Sequence, residues 1–486
     1  MKRNTIFFGV LFLVAAIAVI SCAVNPVTGK KQLMLMTEAQ EIQLGTDYDP
    51  QVMSTFGEYK HDALLSLIEE KGIEMGSISH RPALKYHFRI LDSPVINAFA
   101  VPGGYIYLTR GILAHFNNEA ELMGVIGHEM GHITARHTAS RQSKQQLGTL
   151  LLIGGMIASE EFRNYAEYAM QGMQLLFLSF SRTDEREADR LGVEYTSKIG
   201  YDAKKMADFY KVLVKMNLAM NQGGVPTFLS THPDPGDRYN AVLEDAGKWQ
   251  EKLEFENYTV NTDRYLQMID GMVYGEDPRQ GYTEGSVFYH PELKFRFSFP
   301  SGWKLENSPM QVTMAPDDGK AMMVFTFAQQ KNLEEAAQET ITQLGLTLIE
   351  SRKTTINGLP AITTIANNVS QNQSTGEQMN TMVMSAFIDY GGTCYVFHGV
   401  SSDTDFEVYS KLFESSAGSF ARLTDQAKLS VQPVRLKVVR TQTTSALSEQ
   451  FRALGIPQEK YNEFALLNNM DLTTRIEAGT MIKIAR

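Results

Sequence analysis

The stretch "GHEMGHITARH", residues 127–137, constrains this chain more than any other, because it holds three of the chain's ten histidines within eleven residues. His128-Glu129-Met130-Gly131-His132 is an H-E-x-x-H pattern. In an α-helix, residues i and i+4 lie about 40° apart around the axis, so both imidazoles face one ion. A residue at i+1, about 100° away, reaches a water on that ion. The flanks favour a helix: Leu122, Val125, Ile126, Met130 and Ile133 supply apolar positions, and Asn117 or Asn118 is placed to cap the start. His137 does not fit as a third ligand. On a continuous helix it points about 140° from His132 and about 180° from His128. The pattern that uses a third histidine needs Gly and His where Ala135 and Thr138 stand. His137 reads as a structural or rim residue.

The remaining ligand must come from another element. "SFSRTDEREADRLGVEYTSKIG", residues 179–200, reads as a helix with Ala188, Leu191, Gly192 and Tyr195 on one side. Glu185 and Asp189 are i,i+4 on one face. One carboxylate there can bind an ion while the other holds a ligating imidazole by its second nitrogen; spacing alone does not separate Glu185 from Glu187. Two histidines and one acid leave a fourth tetrahedral position for water, which marks a catalytic rather than a structural zinc site. Zinc brings the pKa of a water from about 15.7 to roughly 7. The uphill proton transfer to Glu129 then falls from about 15 to about 4 kcal/mol, which makes Glu129 a usable general base.

The pair His128–His132 with Glu185-x-x-Ala188-Asp189 resembles the HtpX/BepA-like zinc metallopeptidases, the minigluzincin group. So do "NPVTGKKQLMLMTEAQEIQLG" at 25–45, "NAFAVPGGYIYLTRGIL" at 97–113 and "THPDPGDR" at 231–238. The resemblance runs from about residue 25 to 250. It implies one Zn2+ per chain, with Glu185 as third ligand, Asp189 as the partner of a ligating imidazole and Glu187 as an ordinary helix-face acid. "NAFAVPGGYIYLTRG" reads as strand, Pro-Gly turn, strand. The resemblance places this hairpin beside the metal helix, where Asn97, Ala98, Phe99, Ala100, Gly103 and Gly104 would bind an extended substrate by main-chain pairing. It also places His232 close to the metal, either donating a hydrogen bond to the oxyanion or filling the open zinc position. Arg238 could serve the site or its own helix.

At the N-terminus Lys2 and Arg3 precede an apolar run, Ile6–Ile20, followed by Val19-Ile20-Ser21-Cys22. A membrane-spanning helix needs about 20 apolar residues. The run reads instead as a secretory signal over 1–21. Val-Ile-Ser-Cys resembles a bacterial lipobox, with Cys22 lipidated and 22–36 a tether to the membrane. Ala23 rather than Asp after Cys22 favours the periplasmic side of the outer membrane. Cys394 then remains alone and forms no internal disulfide. The net charge of −10 argues against nucleic acid as a partner.

Texture along the chain gives a multidomain α+β protein. A mainly helical zincin-type peptidase domain with a small β-hairpin or sheet occupies 37–262, and a Gly-rich linker 263–284. An α+β domain of unassigned role covers 285–424. A βααβ module over 434–486 resembles LysM but lacks its Gly-Asp-Thr turn. Within the first domain, the twelve residues "LGTLLLIGGMIA" at 147–158 are too few to cross a bilayer and read as a buried or cleft-covering helix. The expected function is a zinc endopeptidase acting on unfolded or misassembled envelope proteins. A metal-bearing chaperone or scaffold, or a peptidoglycan-binding protein, are the alternatives.

Overall fold

The computed structural model describes residues 22–145, 180–220, 228, 232, 235–253, 255–330, 332–371 and 378–486. The signal expected over 1–21 and the helix expected at 147–158 lie outside the described residues. Among the described residues, no helix is long and apolar enough to cross a membrane. The chain divides into two units. The first comprises the described parts of Met1–Met53, Gly57–Gly275 and Val434–Arg486; the second comprises Ser54–Phe56 and Glu276–Pro433.

The first unit opens with a hairpin, β1 (Cys22–Val24) and β2 (Lys31–Leu33), then α1 (Glu38–Phe56). Thr37 starts α1 with a reciprocal capping box to Gln40. The segment expected to be a tether is attached to the domain: Asn25 Nδ2 donates to Ala135 O at 3.4 Å, and Leu35 N donates to Ser143 Oγ at 2.9 Å. Helix α2 (Asp62–Ser77) packs on a three-stranded sheet of β3 (His87–Leu91), β5 (Tyr105–Thr109) and β4 (Ala98–Val101), in that order. β3 runs parallel to β5, and β4 pairs antiparallel with β5 at the sheet's edge, Ala98 opposite Leu108 and Val101 opposite Tyr105. β5 is buried along its whole length. Helices α3 (Arg110–His115), α4 (Glu119–Thr134), α5 (Arg182–Lys198), α6 (Lys204–Met220), α7 (Pro235–Lys252) and α8 (Thr262–Ile269) complete this part. Every residue of α4 is buried.

The second unit holds a seven-stranded antiparallel sheet and a four-stranded one. The small sheet contains β6 (Tyr282–Glu284), β7 (Val287–His290), β8 (Phe295–Ser298) and, after the large sheet, Ala421–Arg422. The large sheet contains β9 (Lys304–Asn307), β10 (Val312–Ala315), β11 (Ala321–Phe327), β12 (Thr347–Ile356), β13 (Leu359–Gln371), β14 (Gln378–Tyr390) and β15 (Thr393–Ser402), in the order β12-β13-β14-β15-β11-β10-β9. Helices α9 (Leu333–Gln343) and α10 (Asp403–Gly418) pack on it. Phe295, Phe297, Phe325, Phe397 and Phe420 form its centre.

The C-terminal residues return to the first unit as strand, helix, helix, strand. Leu436–Arg440 pairs antiparallel with Met481–Ala485, and the helices Leu447–Ala453 and Tyr461–Leu467 lie between them. Leu436, Phe451, Ile482 and Ile484 share one apolar core with α4. The fully buried Lys483 donates from Nζ to the carbonyls of Ala114 and Phe116, both at 2.8 Å.

The linker expected at 263–284 needs correction. Tyr265, Leu266 and Ile269 put an apolar face of α8 into the core, and Tyr265 Oη donates to Leu113 O at 2.6 Å. Beyond α8, Gly271 N donates to Leu436 O, Leu436 N to Met272 O and Tyr274 N to Val434 O. The glycines that looked like linker punctuation lie at turns: Gly271 and Gly275 adopt positive φ.

Candidate metal centre

Small residues bring the two helices of the centre together. A Cβ on Gly192 would lie 2.8 Å from His128 N, and one on Gly131 would lie 2.9 Å from Ala188 O. Because these positions lack side chains, α4 and α5 cross nearly backbone to backbone, and Glu185 and Asp189 of α5 reach the histidines of α4. Asn118 caps α4, its side chain accepting from Glu121 N at 2.9 Å.

The three expected ligands come together with a fourth residue. Donor atoms of His128, His132, Glu185 and His232 lie within 4.8 Å of one another, and all four residues are buried. His132 Nε2 is 3.1 Å from His128 Nε2 and 3.4 Å from Glu185 Oε1. His128 Nε2 is 3.6 Å from Glu185 Oε2. His232 Nδ1 lies 3.0 Å from Glu185 Oε1 and 3.3 Å from His128 Nε2. The Phe180 ring stacks on His132 at 4.0 Å, and Phe228 stacks on His232 at 4.6 Å.

The donors suit a divalent cation. The two ligand rings have their Nδ1 atoms engaged elsewhere, so their Nε2 lone pairs converge on one point together with a carboxylate. Both oxygens of Glu129 are buried without a hydrogen-bond partner among the described residues. Such an arrangement is costly unless a cation completes it. Borderline nitrogen donors with one carboxylate are the set zinc takes.

Asp189 sits behind His128, its Oδ1 2.9 Å from Nδ1. Arg238 of α7 holds Asp189 through Nε at 2.6 Å and Nη2 at 2.5 Å, and Tyr210 Oη donates to the same carboxylate at 2.5 Å. Arg238 Nη1 also lies 2.6 Å from Glu185 Oε2, a charge contact without hydrogen-bond alignment. Burial raises the Asp189 carboxyl, but Arg238 outweighs it and brings the value down to about 2. Burial also raises Glu185, and His232 and His132 outweigh it, so Glu185 falls well below the ordinary value. Glu129 is raised by burial, with His232 and His128 opposing. Burial lowers His132 well below the usual imidazole value.

The other expected site residues divide. Asn97, Ala98, Phe99 and Ala100 lie on or beside the edge strand β4, which packs against α4. Gly103 and Gly104 lie at the turn between β4 and β5. They are buried at positive φ, and an added Cβ would meet Glu41 O at 2.7 Å and Lys85 O at 2.2 Å respectively, so the turn's packing explains both glycines. Cys22 pairs through its backbone with Leu33 in β1–β2.

Two partnerships escaped the sequence reading. Tyr210 joins Arg238 and Asp189, although nothing in its helix sets it apart from a core tyrosine. His137 turns back toward the site. α4 ends at Thr134, and Arg136 adopts a left-handed φ of 58°. Its guanidinium donates to Glu41 Oε1 at 2.8 Å and to Met36 O at 2.9 Å. The angle of about 140° between His132 and His137 assumed that the helix continued. With the reversal at Arg136, His137 Nδ1 comes to 3.0 Å from His132 Nδ1, and its Nε2 lies 3.1 Å from Glu187 Oε2.

Residues 66–246 match the family model described as Peptidase family M48. The chain is 29% identical over 209 residues to the "Beta-barrel assembly-enhancing protease" of Escherichia coli (strain K12), covering 41% of this chain and 42% of that protein. It is 28% identical over 251 residues to the protein of the same name from Yersinia pestis, covering 49% and 50%. It is 33% identical over 180 residues to "Mitochondrial metalloendopeptidase OMA1" of Arabidopsis thaliana, covering 36% and 34%. The chain thus spans half or less of the length of these relatives. The match to Peptidase family M48 covers the stretch that holds the buried H-E-x-x-H helix and the acid helix crossing it.

Proposed function

We propose that the chain is a zinc-dependent endopeptidase of the bacterial envelope that cleaves unfolded or misassembled proteins. The observation that carries this is the convergence of His128, His132 and Glu185 beside Glu129, whose two carboxylate oxygens are buried without a hydrogen-bond partner among the described residues. A single zinc ion there would activate a water and polarise the scissile carbonyl. Glu129 takes a proton from the attacking water and delivers it to the leaving amine. Asp189, braced by Arg238 and Tyr210, fixes the His128 ring and its tautomer. An extended substrate segment adds to β4 at Asn97–Ala100, with main-chain pairing that demands little of its sequence. That mode suits unfolded chains. The names of the Escherichia coli and Yersinia relatives, which speak of β-barrel assembly, support an envelope setting.

His232 has a second reading, favoured by its position. Its Nδ1 lies among the ligand atoms and its Nε2 is 3.6 Å from Glu129 Oε1, so in a resting state it occupies the place a substrate carbonyl or water would take. His232→Ala decides between the roles: faster cleavage marks an inhibitory ligand, and slower cleavage with zinc retained marks a catalytic donor. A lipid on Cys22 and attachment to the outer membrane complete the proposal, supported by the Val-Ile-Ser-Cys sequence. The main test is zinc quantification with casein digestion, wild type beside Glu129→Gln and Glu185→Ala. Stoichiometric zinc with cleavage lost in Glu129→Gln supports the peptidase. Full envelope rescue by Glu129→Gln supports the scaffold alternative, and retention on cell-wall sacculi supports a glycan role for 434–486.

A further inference from the structure

The two candidate ligand histidines are held from behind in different ways. His128 Nδ1 faces a carboxylate directly, Asp189 at 2.9 Å. His132 Nδ1 faces another imidazole, His137 Nδ1 at 3.0 Å, and that ring faces Glu187 Oε2 at 3.1 Å. We propose that His137, anchored by Glu187, is the positioning residue that sets the tautomer and ring orientation of His132 as a metal ligand. This rests on the metal-site reading above.

The tautomers follow one from another. His132 turns Nε2 toward His128 and Glu185, so its ring proton sits on Nδ1. The partner at that nitrogen is His137 Nδ1, which must accept and therefore carries its own proton on Nε2. Glu187 Oε2 accepts that proton, and the Asp184 carboxylate stands farther away at 3.8 Å. Phe180 covers the face of the His132 ring, which restricts tilting but leaves rotation in the ring plane to the hydrogen bond. The relay exists because the chain reverses at Arg136. An uninterrupted helix would carry His137 away from His132. His137 is 5% exposed, so water does not replace it readily as the acceptor.

The test uses the full mature chain and a pair of variants of nearly the same shape. In His137→Asn the side-chain oxygen can lie where Nδ1 lies and still accept from His132. In His137→Leu no acceptor remains. Zinc affinity is read by chelator competition, ligand geometry by the visible absorption of the cobalt-substituted protein, and folding by melting of the metal-free form. The Leu variant is expected to lose about 10–100-fold in zinc affinity. Its cobalt spectrum changes and its kcat falls at constant KM, while the Asn variant stays within about threefold of wild type. Equal affinities in the two variants, tight or weak, overturn the relay. Glu187→Ala, at the partly exposed outer end, is expected to lose up to about tenfold, and Glu187→Gln to restore it. Unchanged affinity in Glu187→Ala overturns the relay whatever the Leu variant does. A wild-type protein that takes up no zinc fails the metal reading itself, and the relay with it.

Discussion

Both units bury an apolar core, but they differ in the polar side chains they bury beside it. Between α4 and α5 the first unit encloses Glu129, Glu185, Asp189, Arg238 and the imidazoles of His128, His132 and His232, each at most 5% exposed. The second unit encloses a cluster of phenylalanines and methionines, and its buried polar side chains are mostly hydroxyls, Thr364, Ser385, Ser401 and Ser416. Its free Cys394 is buried in β15 among apolar neighbours. Buried charge is expensive unless paired, so its concentration in one place marks where chemistry outweighs packing. The phenylalanine centre of the second unit, by contrast, is apolar packing.

The largest effect that sharpens this contrast is on cleavage. Glu129→Gln is expected to lower the casein cleavage rate by about 10²–10⁴-fold, with zinc content and melting temperature unchanged. A melting shift of many degrees would mean that this acid is structural and the contrast misdrawn. Phe297→Ala should cost the second unit about 3–5 kcal/mol in denaturant unfolding, while cleavage by the first unit stays at the wild-type rate. Arg238→Met should cost the first unit a similar ~3–5 kcal/mol, because it strands two buried carboxylates. Bound zinc should recover part of that loss, which calorimetry with and without metal measures.

A pH-dependent effect concerns Lys483 and Glu121. Burial depresses the Lys483 ammonium to about 7, so the unfolded chain binds more protons between about 7 and 10.5 and stability rises with pH there. Burial lifts Glu121 to about 7, so the folded chain binds more protons between about 4.5 and 7 and stability falls as pH rises there. The pair therefore contributes a minimum in stability near neutrality. Urea unfolding across pH should show it in wild type and lose it in Lys483→Met combined with Glu121→Gln.

The contrast also explains what could be read in advance. The H-E-x-x-H spacing and the Glu185–Asp189 pair rest on helical periodicity, and the observed helices place those side chains on one centre. In the second unit, β8 and β11 alternate buried and more exposed residues, a pattern legible in sequence. β12 does not: from Thr347 to Thr355 it is exposed on both faces, so no alternation marks it. α8 was hidden in a stretch whose glycines suggested a linker. The relay through His137 was hidden by one backbone angle, because an arginine gives no sign in sequence of a left-handed φ. The roles of Gly103 and Gly104 depended on which chain lies against them, a tertiary fact.

The metal helix shares its core with Ile482 and Ile484. A ribosome that has emitted residue 275 has already made every candidate ligand, but Leu436, Phe451, Phe464, Ile482 and Ile484 of this core are still to be translated. At about 5–20 residues per second that delay lasts roughly ten to forty seconds. The strand Met481–Ala485 thus gives the nascent polypeptide an interval in which its candidate ligands exist without their finished framework.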